Sequence, residues 1–302
     1  MAITAAMVKE LRERTGAGMM DCKKVLTETD GDITKAIEVL REKGLAKAAK
    51  KAGRVAAEGL VKVLVSDDHK TAAMVEINSE TDFVAKNDQF VTFVNQVAEM
   101  VLANDVADAE ALKALAWADD ASKTVNDVLT EKIATIGENL TIRRIARLTS
   151  DNTLAAYTHG GGKIVVVTEL EGDAEKAAEV GRNVAMQIAA VNPEYISMDE
   201  VSEETKAHEK EILMTQALNE NTGKPENIIE KMVIGRLNKQ LKEICLLEQE
   251  YVKDPDMTVA KYIKSELGTE KAIKQFVRFE TGEGIEKKEE NFAEEVAKQI
   301  QG

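Results

Sequence analysis

The sequence predicts an α+β protein that combines a small helical bundle with two related α+β subdomains, an inserted antiparallel helical hairpin and a C-terminal helical module. Its 302 residues are enough for two domains of about 150 residues each. Apolar residues follow a helical period up to residue 54, and strand-like runs begin at residue 59. A strand–strand–helix pattern then occurs twice, which indicates an internal repeat.

The first module, residues 1–54, is predicted to contain three short helices. Thr4 suits the N-cap of the first helix, and the glycines of Thr15–Gly18 end that helix. A second helix carries Met19, Met20, Val25 and Leu26. Asp32 suits the N-cap of a third helix, whose apolar residues recur at helical spacing: Ile33, Ala36, Ile37 and Leu40.

Charge also sets this module apart from the rest of the chain. Residues 1–54 hold 12 basic and 8 acidic residues, whereas the whole chain has a net charge of −14. Five basic residues and no acid lie within Lys43–Arg54. We therefore expect this stretch to be a helical linker or a basic face that meets an acidic partner.

The core is predicted to begin with a hairpin of Leu60–Val65 and Thr71–Asn78. A long amphipathic helix follows from Phe90 to Val101, because its apolar residues share one helical face. Residues 104–121 have the composition of a loop with helical character. A further helix carries Val125, Leu129 and Ile133.

The pattern then recurs. Leu140–Leu148 is strand-like, and Leu154–His159 and Lys163–Leu170 predict a second hairpin ahead of a helix at about 173–191. Val75-Glu76-Ile77 aligns with Thr168-Glu169-Leu170, since each ends a hairpin before a helix. We therefore expect two related α+β subdomains.

Residues 200–248 predict two long charged helices around a turn that contains Pro225. A helix at Val259–Leu267, a strand at Ile273–Glu280 and a terminal amphipathic helix follow, the last marked by Phe292, Val296 and Ile300. The predicted domain boundaries are 1–54, 55–139, 140–199 joined with 246–281, 200–245 and 282–302.

Composition excludes several classes of protein. With 40 Lys and Arg against 54 Asp and Glu, the chain would be repelled by a phosphate backbone, so we expect no direct nucleic-acid partner. No run approaches the ~20 apolar residues of a membrane-spanning helix. Cys22 and Cys245 give no disulfide framework, and the N-terminus does not resemble a signal peptide. These features predict a cytoplasmic protein, in the cytosol or in an organelle matrix after processing.

No catalytic or metal-binding motif is found in the sequence. The three histidines lack metal-ligand spacing, and no nucleophile elbow, kinase signature or Walker A loop occurs. Gly161-Gly162-Lys163, between two strands, predicts a hairpin turn rather than a phosphate loop. Lys23 and Lys24 beside Cys22 would lower its thiol pKa, but a half-buried structural thiol is the favoured interpretation.

The segment Asn78–Lys86 joins a predicted strand to a predicted helix. Thr81 or Asp82 suits the N-cap of that helix. Periodicity favours Phe83 as a core residue, whereas an exposed phenylalanine at a loop tip beside an acid would be a binding anchor. The residues by themselves leave both interpretations open.

Several motifs resemble the elongation factor Ts family. Glu10–Lys24 strongly resembles the family's N-terminal signature, and Thr81–Lys86 with Glu76–Asn78 resembles its second signature. The resemblance runs in order along nearly the whole chain, except around residues 103–125. Further matches are Gly31–Ile33, Lys50–Gly53, Ile136–Leu140, Ile142–Arg144, Tyr157 with His159-Gly160, Arg278–Glu280 and Gly282–Lys287.

The resemblance implies a guanine-nucleotide exchange factor for elongation factor Tu, without covalent chemistry of its own. It also implies that the N-terminal bundle is ubiquitin-associated-like. GDP, GTP and Mg²⁺ belong to the partner, so we expect no cofactor and no metal site in this chain. The segment implied to dislodge Mg²⁺ from the partner is Thr81, Asp82, Phe83 and Val84.

The resemblance also implies partner-binding residues outside this segment. These are Arg12, Met19 and Met20 in the bundle and His159 in the second hairpin. By pattern alone, the methionines are core residues and His159 is an ordinary loop histidine. The signature Phe279–Lys287 either braces the core or touches the partner. The helical hairpin around Lys224 is expected to mediate a homodimer of the complex or secondary contacts.

Two other classes compete with this interpretation. A ribosome- or nascent-chain-associated binding module without exchange activity would account for the basic N-terminal module, but it has no need of a Thr-Asp-Phe-Val tip. An enzyme would require a convergent set of titratable residues, and no motif supplies one.

Overall fold

The protein, seen in a computed structural model that describes residues 3–220 and 225–286, is a mixed helix-and-sheet protein, as predicted. It divides into two compact units. The first takes its described residues from Met1–Lys62, Ala73–Arg147 and Phe279–Gly302, and the second consists of Val63–Ala72 and Leu148–Arg278. The five-part division expected from the sequence stays a prediction.

The three N-terminal helices are confirmed as α1 (Ala5–Thr15), α2 (Met19–Glu28) and α3 (Ile33–Lys51). Thr4 caps α1 by accepting a 3.2 Å hydrogen bond from the Met7 amide, and Asp32 caps α3 through the Lys35 amide at 3.0 Å. The basic Lys43–Arg54 stretch is largely helical, because α3 continues to Lys51. Side chains buried in this bundle are Leu11, Cys22, Val25, Leu26 and Ala36.

The first half of the core begins with the predicted hairpin and ends with a returning strand. Strands β1, β2 and β5 form a three-stranded sheet in the order β1-β2-β5. The elements in chain order are β1 (Glu58–Val65), β2 (Thr71–Ser79), α4 (Asp82–Ala85), α5 (Asp88–Ala103), α6 (Ala109–Ala114), β3 (Ala116–Trp117), β4 (Asp120–Thr124), α7 (Val125–Ile136) and β5 (Thr141–Thr149).

The second half repeats this plan around an inserted helical hairpin. Strands β6, β7 and β10 form a sheet in the order β10-β7-β6, and α9 with α10 forms the predicted hairpin. The elements are β6 (Thr153–His159), β7 (Ile164–Leu170), α8 (Ala174–Val191), α9 (Glu203–Glu220), α10 (Glu226–Ile244), β8 (Glu250–Tyr251), β9 (Asp254–Thr258), α11 (Val259–Leu267) and β10 (Ile273–Glu280).

The repeat extends further than the sequence predicted. In the first half Ala116 pairs with Thr124 in a bulged two-stranded ribbon, and in the second half Glu250 pairs with Thr258 in a ribbon of the same register. Thr124 and Thr258 then cap the helices that follow, α7 and α11. The prediction of a loop at 104–121 was therefore incomplete, because α6 and the ribbon β3–β4 occupy part of it.

The described part of the chain holds no helix long and apolar enough to cross a membrane. The terminal helix expected around Phe292, Val296 and Ile300 and the turn residue Lys224 lie outside the described residues.

Two glycines within helices differ in what surrounds them. A Cβ atom added to Gly181 on α8 would lie 2.7 Å from Ala155 Cβ on β6 and 2.9 Å from Thr168 Oγ1 on β7. A Cβ atom added to Gly235 on α10 would meet nothing within 4 Å. Gly181 is therefore a packing requirement of the second sheet, whereas Gly235 is not.

We expect Gly181→Ala to lower the free energy of unfolding by about 1–3 kcal/mol, since overpacking outweighs alanine's better helix propensity. The matched control Gly235→Ala should raise it by up to about 1 kcal/mol. Urea unfolding followed by circular dichroism measures both. A stabilising effect of Gly181→Ala would contradict the close packing of α8 on this sheet.

Candidate functional site

Phe83 lies on a one-turn helix between β2 and α5, and the residue is 80% exposed. The next two residues, Val84 and Ala85, are buried. The interpretation of Phe83 as a core residue was therefore wrong. It failed because α4 ends at Ala85 and α5 begins separately with Asn87 as its N-cap, so the apolar face of α5 does not extend back to Phe83.

Thr81 fixes the start of this one-turn helix. Its hydroxyl oxygen accepts a 3.4 Å hydrogen bond from the Val84 amide. Of the two predicted N-caps, Thr81 and Asp82, Thr81 is therefore the one that caps this helix. The same hydroxyl donates to Glu138 Oε1 at 2.6 Å. Thr81 is half-buried, so it supports the turn more than it presents a surface.

A second carboxylate ties the same two loops together in the opposite direction. Glu80 Oε1 accepts a 2.6 Å hydrogen bond from the Asn139 amide and lies 3.4 Å from Arg54 Nη1. The Asn139 side chain donates to the Arg54 carbonyl at 2.8 Å. The loop before Phe83, the loop before β5 and Arg54, three residues beyond α3, therefore share one hydrogen-bond network.

Asp82 lies beside Phe83 on the same turn. Its carboxylate is 2.8 Å from Lys86 Nζ, and both side chains are about half or more exposed. Exposed pairs of this kind contribute little stability. The pair can therefore be exchanged for a contact with another molecule at small cost.

The strand that leads to this turn is held at its centre by a buried carboxylate. Glu76 is fully buried on β2 and accepts hydrogen bonds from Arg143 Nη1 at 3.0 Å, Arg144 Nε at 2.5 Å and the Gly282 amide at 2.8 Å. Burial alone would raise the pKa of Glu76, but the Gly282 amide, the two guanidinium groups and Asn78 hold it below its ordinary value. Glu76 is therefore ionised in the folded protein.

The C-terminal signature packs on the same network. The Arg144 guanidinium carbon lies 4.2 Å from the centre of the buried Phe279 ring, and Arg144 Nη2 is 3.0 Å from the Glu283 carboxylate. The described part of the signature therefore braces the core, which is one of the two roles expected for it.

The repeat supplies a natural comparison for the Phe83 turn. The link from β2 to α5 spans residues 80–87, whereas the link from β7 to α8 spans only residues 171–173. The aligned carboxylate Glu169 is also buried, and it accepts hydrogen bonds from Ser150, Asn152 and Gln275 that outweigh burial and hold its pKa low. Both copies keep the buried carboxylate, but only the first carries an exposed phenylalanine on a one-turn helix.

The two methionines of the bundle are also exposed. Met19 is 58% and Met20 is 74% accessible at the start of α2, so the core interpretation of this pair was wrong. The face of α2 that packs inward begins later, at Cys22 and Val25. Arg12 is exposed on the last turn of α1, on the other side of the glycine-containing turn.

His159 is exposed at the end of β6. Its Nδ1 lies 3.1 Å from the Tyr157 hydroxyl, and it pairs with Ile164 across the hairpin. Gly160, Gly161 and Gly162 all have positive φ, so the predicted hairpin turn is confirmed.

The other sequence candidates are structural. Burial raises the pKa of the Cys22 and Cys245 thiols, so Lys23 and Lys24 do not activate Cys22. Both thiols are fully buried, beyond the half-buried state expected for Cys22. Within residues 3–220 and 225–286 no group of three or more His, Cys, Asp or Glu side chains is placed to hold a metal ion.

Sequence reasoning gave no role to Glu76 or Glu138. The signal for Glu76 was visible, because a lone carboxylate within the apolar run of β2 needs a partner to be buried. Glu138 gave no such signal, since its partners lie 57 and 58 residues away along the chain.

The model of one protein family, described as Elongation factor TS, matches residues 80–283. A Clostridioides difficile protein named Elongation factor Ts is 56% identical over 303 residues, which cover 99% of each chain. A Clostridium perfringens protein of the same name is 59% identical over 302 residues, covering 98% of each chain.

Proposed function

The chain belongs to the elongation factor Ts family, whose members are guanine-nucleotide exchange factors for elongation factor Tu, and we propose that it drives exchange by inserting Phe83 into that partner. The observation that carries this proposal is the 80% exposure of a phenylalanine on a braced turn. Its place of action is the cytoplasm, where its partner takes part in translation.

Exchange is a matter of differential binding. A factor that binds the nucleotide-free partner more tightly than the GDP-bound partner weakens GDP by the same ratio. The partner holds GDP through its phosphate loop and Mg²⁺, so contacts that displace groups around Mg²⁺ weaken GDP. This chain supplies no covalent chemistry to that process, only contacts.

Phe83 provides the largest apolar contact of the proposed segment. Burying one phenylalanine side chain is worth roughly 1.5–3 kcal/mol, or about 10- to 150-fold in an equilibrium constant. That is enough to shift a partner element that carries Mg²⁺-linked groups. Asp82 would compete for partner groups after releasing Lys86, while Thr81 and Val84 hold the turn from within this chain.

The N-terminal bundle supplies affinity in this proposal. Met19 and Met20 expose flexible apolar side chains, and Arg12 adds a cation on the neighbouring helix. Methionine-rich surfaces adapt readily to a partner. His159, exposed on the second unit, is proposed as a further contact.

The helical hairpin is proposed to join two copies of the complex. Its helices α9 and α10 leave four large apolar side chains exposed: Ile212, Leu218, Ile228 and Ile234. Single exposed apolar residues are common on protein surfaces, so the supporting observation is that four of them lie on one hairpin.

In sedimentation equilibrium the wild-type complex should have the mass of two copies, and the double substitution Ile228→Ser with Ile234→Ser should halve that mass. A wild-type complex with the mass of one copy would contradict the dimer.

We expect Phe83→Ala to slow GDP release at saturating factor by about 10- to 150-fold, because the apolar insertion is lost. The measurement is release of a fluorescent GDP analogue from elongation factor Tu of the same organism, over a series of factor concentrations. Val252→Ala, which truncates an exposed apolar side chain on the second unit, is the control and should change nothing. Equal maximal rates for Phe83→Ala and wild type would reject the proposal.

Replacing both Met19 and Met20 by serine should raise the half-saturating factor concentration about tenfold and leave the maximal rate unchanged. The reason is that these contacts form in every bound state and do not touch the Mg²⁺ site. The same fluorescence series separates the two quantities, with Val191→Ser as the control for an exposed apolar residue. An unaltered half-saturating concentration would remove the bundle from the binding surface.

A further inference from the structure

We infer that Glu138 is a positioning residue for exchange, because its carboxylate fixes the turn from which Phe83 projects. This inference rests on the proposed function of Phe83. Glu138 lies in the loop between α7 and β5. Its carboxylate contacts the backbone amides of Glu80 and Thr81 and the hydroxyl group of Thr81.

Three donors converge on this one carboxylate. Oε2 accepts the amides of Glu80 and Thr81, each at 3.0 Å, and Oε1 accepts the Thr81 hydroxyl at 2.6 Å. Hydrogen bonds to an ionised acceptor are stronger than neutral ones. Two backbone amides and one side chain are thus fixed at the point where β2 gives way to α4.

Phe83 depends on this support because its own side chain has almost no packing. An 80% exposed ring gains little from contacts within the chain, so its direction is set by the backbone that carries it. On the C-terminal side of Phe83 that backbone is anchored by the buried Val84 and Ala85. On the N-terminal side it is anchored by Thr81, whose hydroxyl links the Val84 amide to Glu138.

Glu138 is itself held in place. On one side of Glu138, Gly137 ends α7 in the left-handed conformation with φ of 93°. On the other side, the Asn139 amide donates a hydrogen bond to the Glu80 carboxylate. The backbone of this loop is therefore held in place on both sides of Glu138, by Gly137 and by Asn139. Movement of this loop would break the hydrogen bonds that Asn139 makes to Glu80 and to the Arg54 carbonyl.

The chemistry of the site requires a carboxylate rather than an amide of the same shape. A carboxylate only accepts hydrogen bonds, whereas the glutamine side chain would turn a donating NH₂ group toward one set of donors. Glu138→Gln therefore breaks part of the support with almost no change in volume. We expect the turn to remain present but to be less well fixed.

The test is a double-mutant cycle of Glu138→Gln and Phe83→Ala, measured by release of fluorescent GDP from elongation factor Tu. In the wild-type background Glu138→Gln should lower the maximal exchange rate about tenfold, which corresponds to about 1.4 kcal/mol. In the Phe83→Ala background it should lower the rate less than about twofold, because no ring remains to be positioned. The half-saturating concentration should be unchanged, since the methionine contacts lie elsewhere.

The control is Glu99→Gln, which neutralises an exposed carboxylate on α5 and should leave both backgrounds unaffected. Equal fold losses from Glu138→Gln with and without Phe83, or no loss at all, would overturn the inference. No effect of Phe83→Ala alone would instead reject the proposed function. Where Glu138→Gln fails to fold, Glu138→Asp keeps the charge, withdraws it from the three donors and enters the same cycle.

Discussion

The turn that carries Phe83 has to hold a large aromatic side chain in water and prevent it from packing onto the chain's own core. Leaving a phenylalanine exposed forgoes roughly 1.5–3 kcal/mol of burial energy. The chain meets this requirement with hydrogen bonds to carboxylates rather than with packing. Glu138 and Glu80 join two loops reciprocally, and Glu76 fixes the strand behind them. This backbone can thus present a ring that the described residues leave largely exposed.

The internal repeat shows how such a site arises from an ordinary scaffold. Both halves share the same order of strands, ribbon and helix, and both bury a glutamate at the aligned position of the second strand. The buried carboxylate is therefore a property of the scaffold. The one-turn helix with Phe83 is an addition to the first copy only, and the helical hairpin α9–α10 is an addition to the second. The two copies therefore differ in the links between their elements, while their sheets stay alike.

Local signals predicted the longer helices, the N-caps Thr4 and Asp32, and both hairpins, because these depend on residues within a few positions of one another. The ribbons β3–β4 and β8–β9 were missed, since strands of two to five polar residues show no alternation of apolar side chains. Periodicity also placed Phe83 and Met19 in the core. It could not detect that α5 starts separately after Asn87, or that the inward face of α2 begins only at Cys22. The family resemblance favoured an exposed Phe83 over a core residue, but no local pattern could predict the hydrogen bonds between Glu138 and Thr81.

The proposed exchange depends on one change: Phe83, exposed in the free chain, becomes buried in elongation factor Tu. It is tested most directly by placing 4-fluorophenylalanine at position 83 and recording the ¹⁹F signal in H₂O and in D₂O. The free chain should show the solvent-isotope shift of an exposed ring, and the nucleotide-free complex should show almost none. A shift of the same size in the complex would mean that the ring stays in water, which would contradict the account.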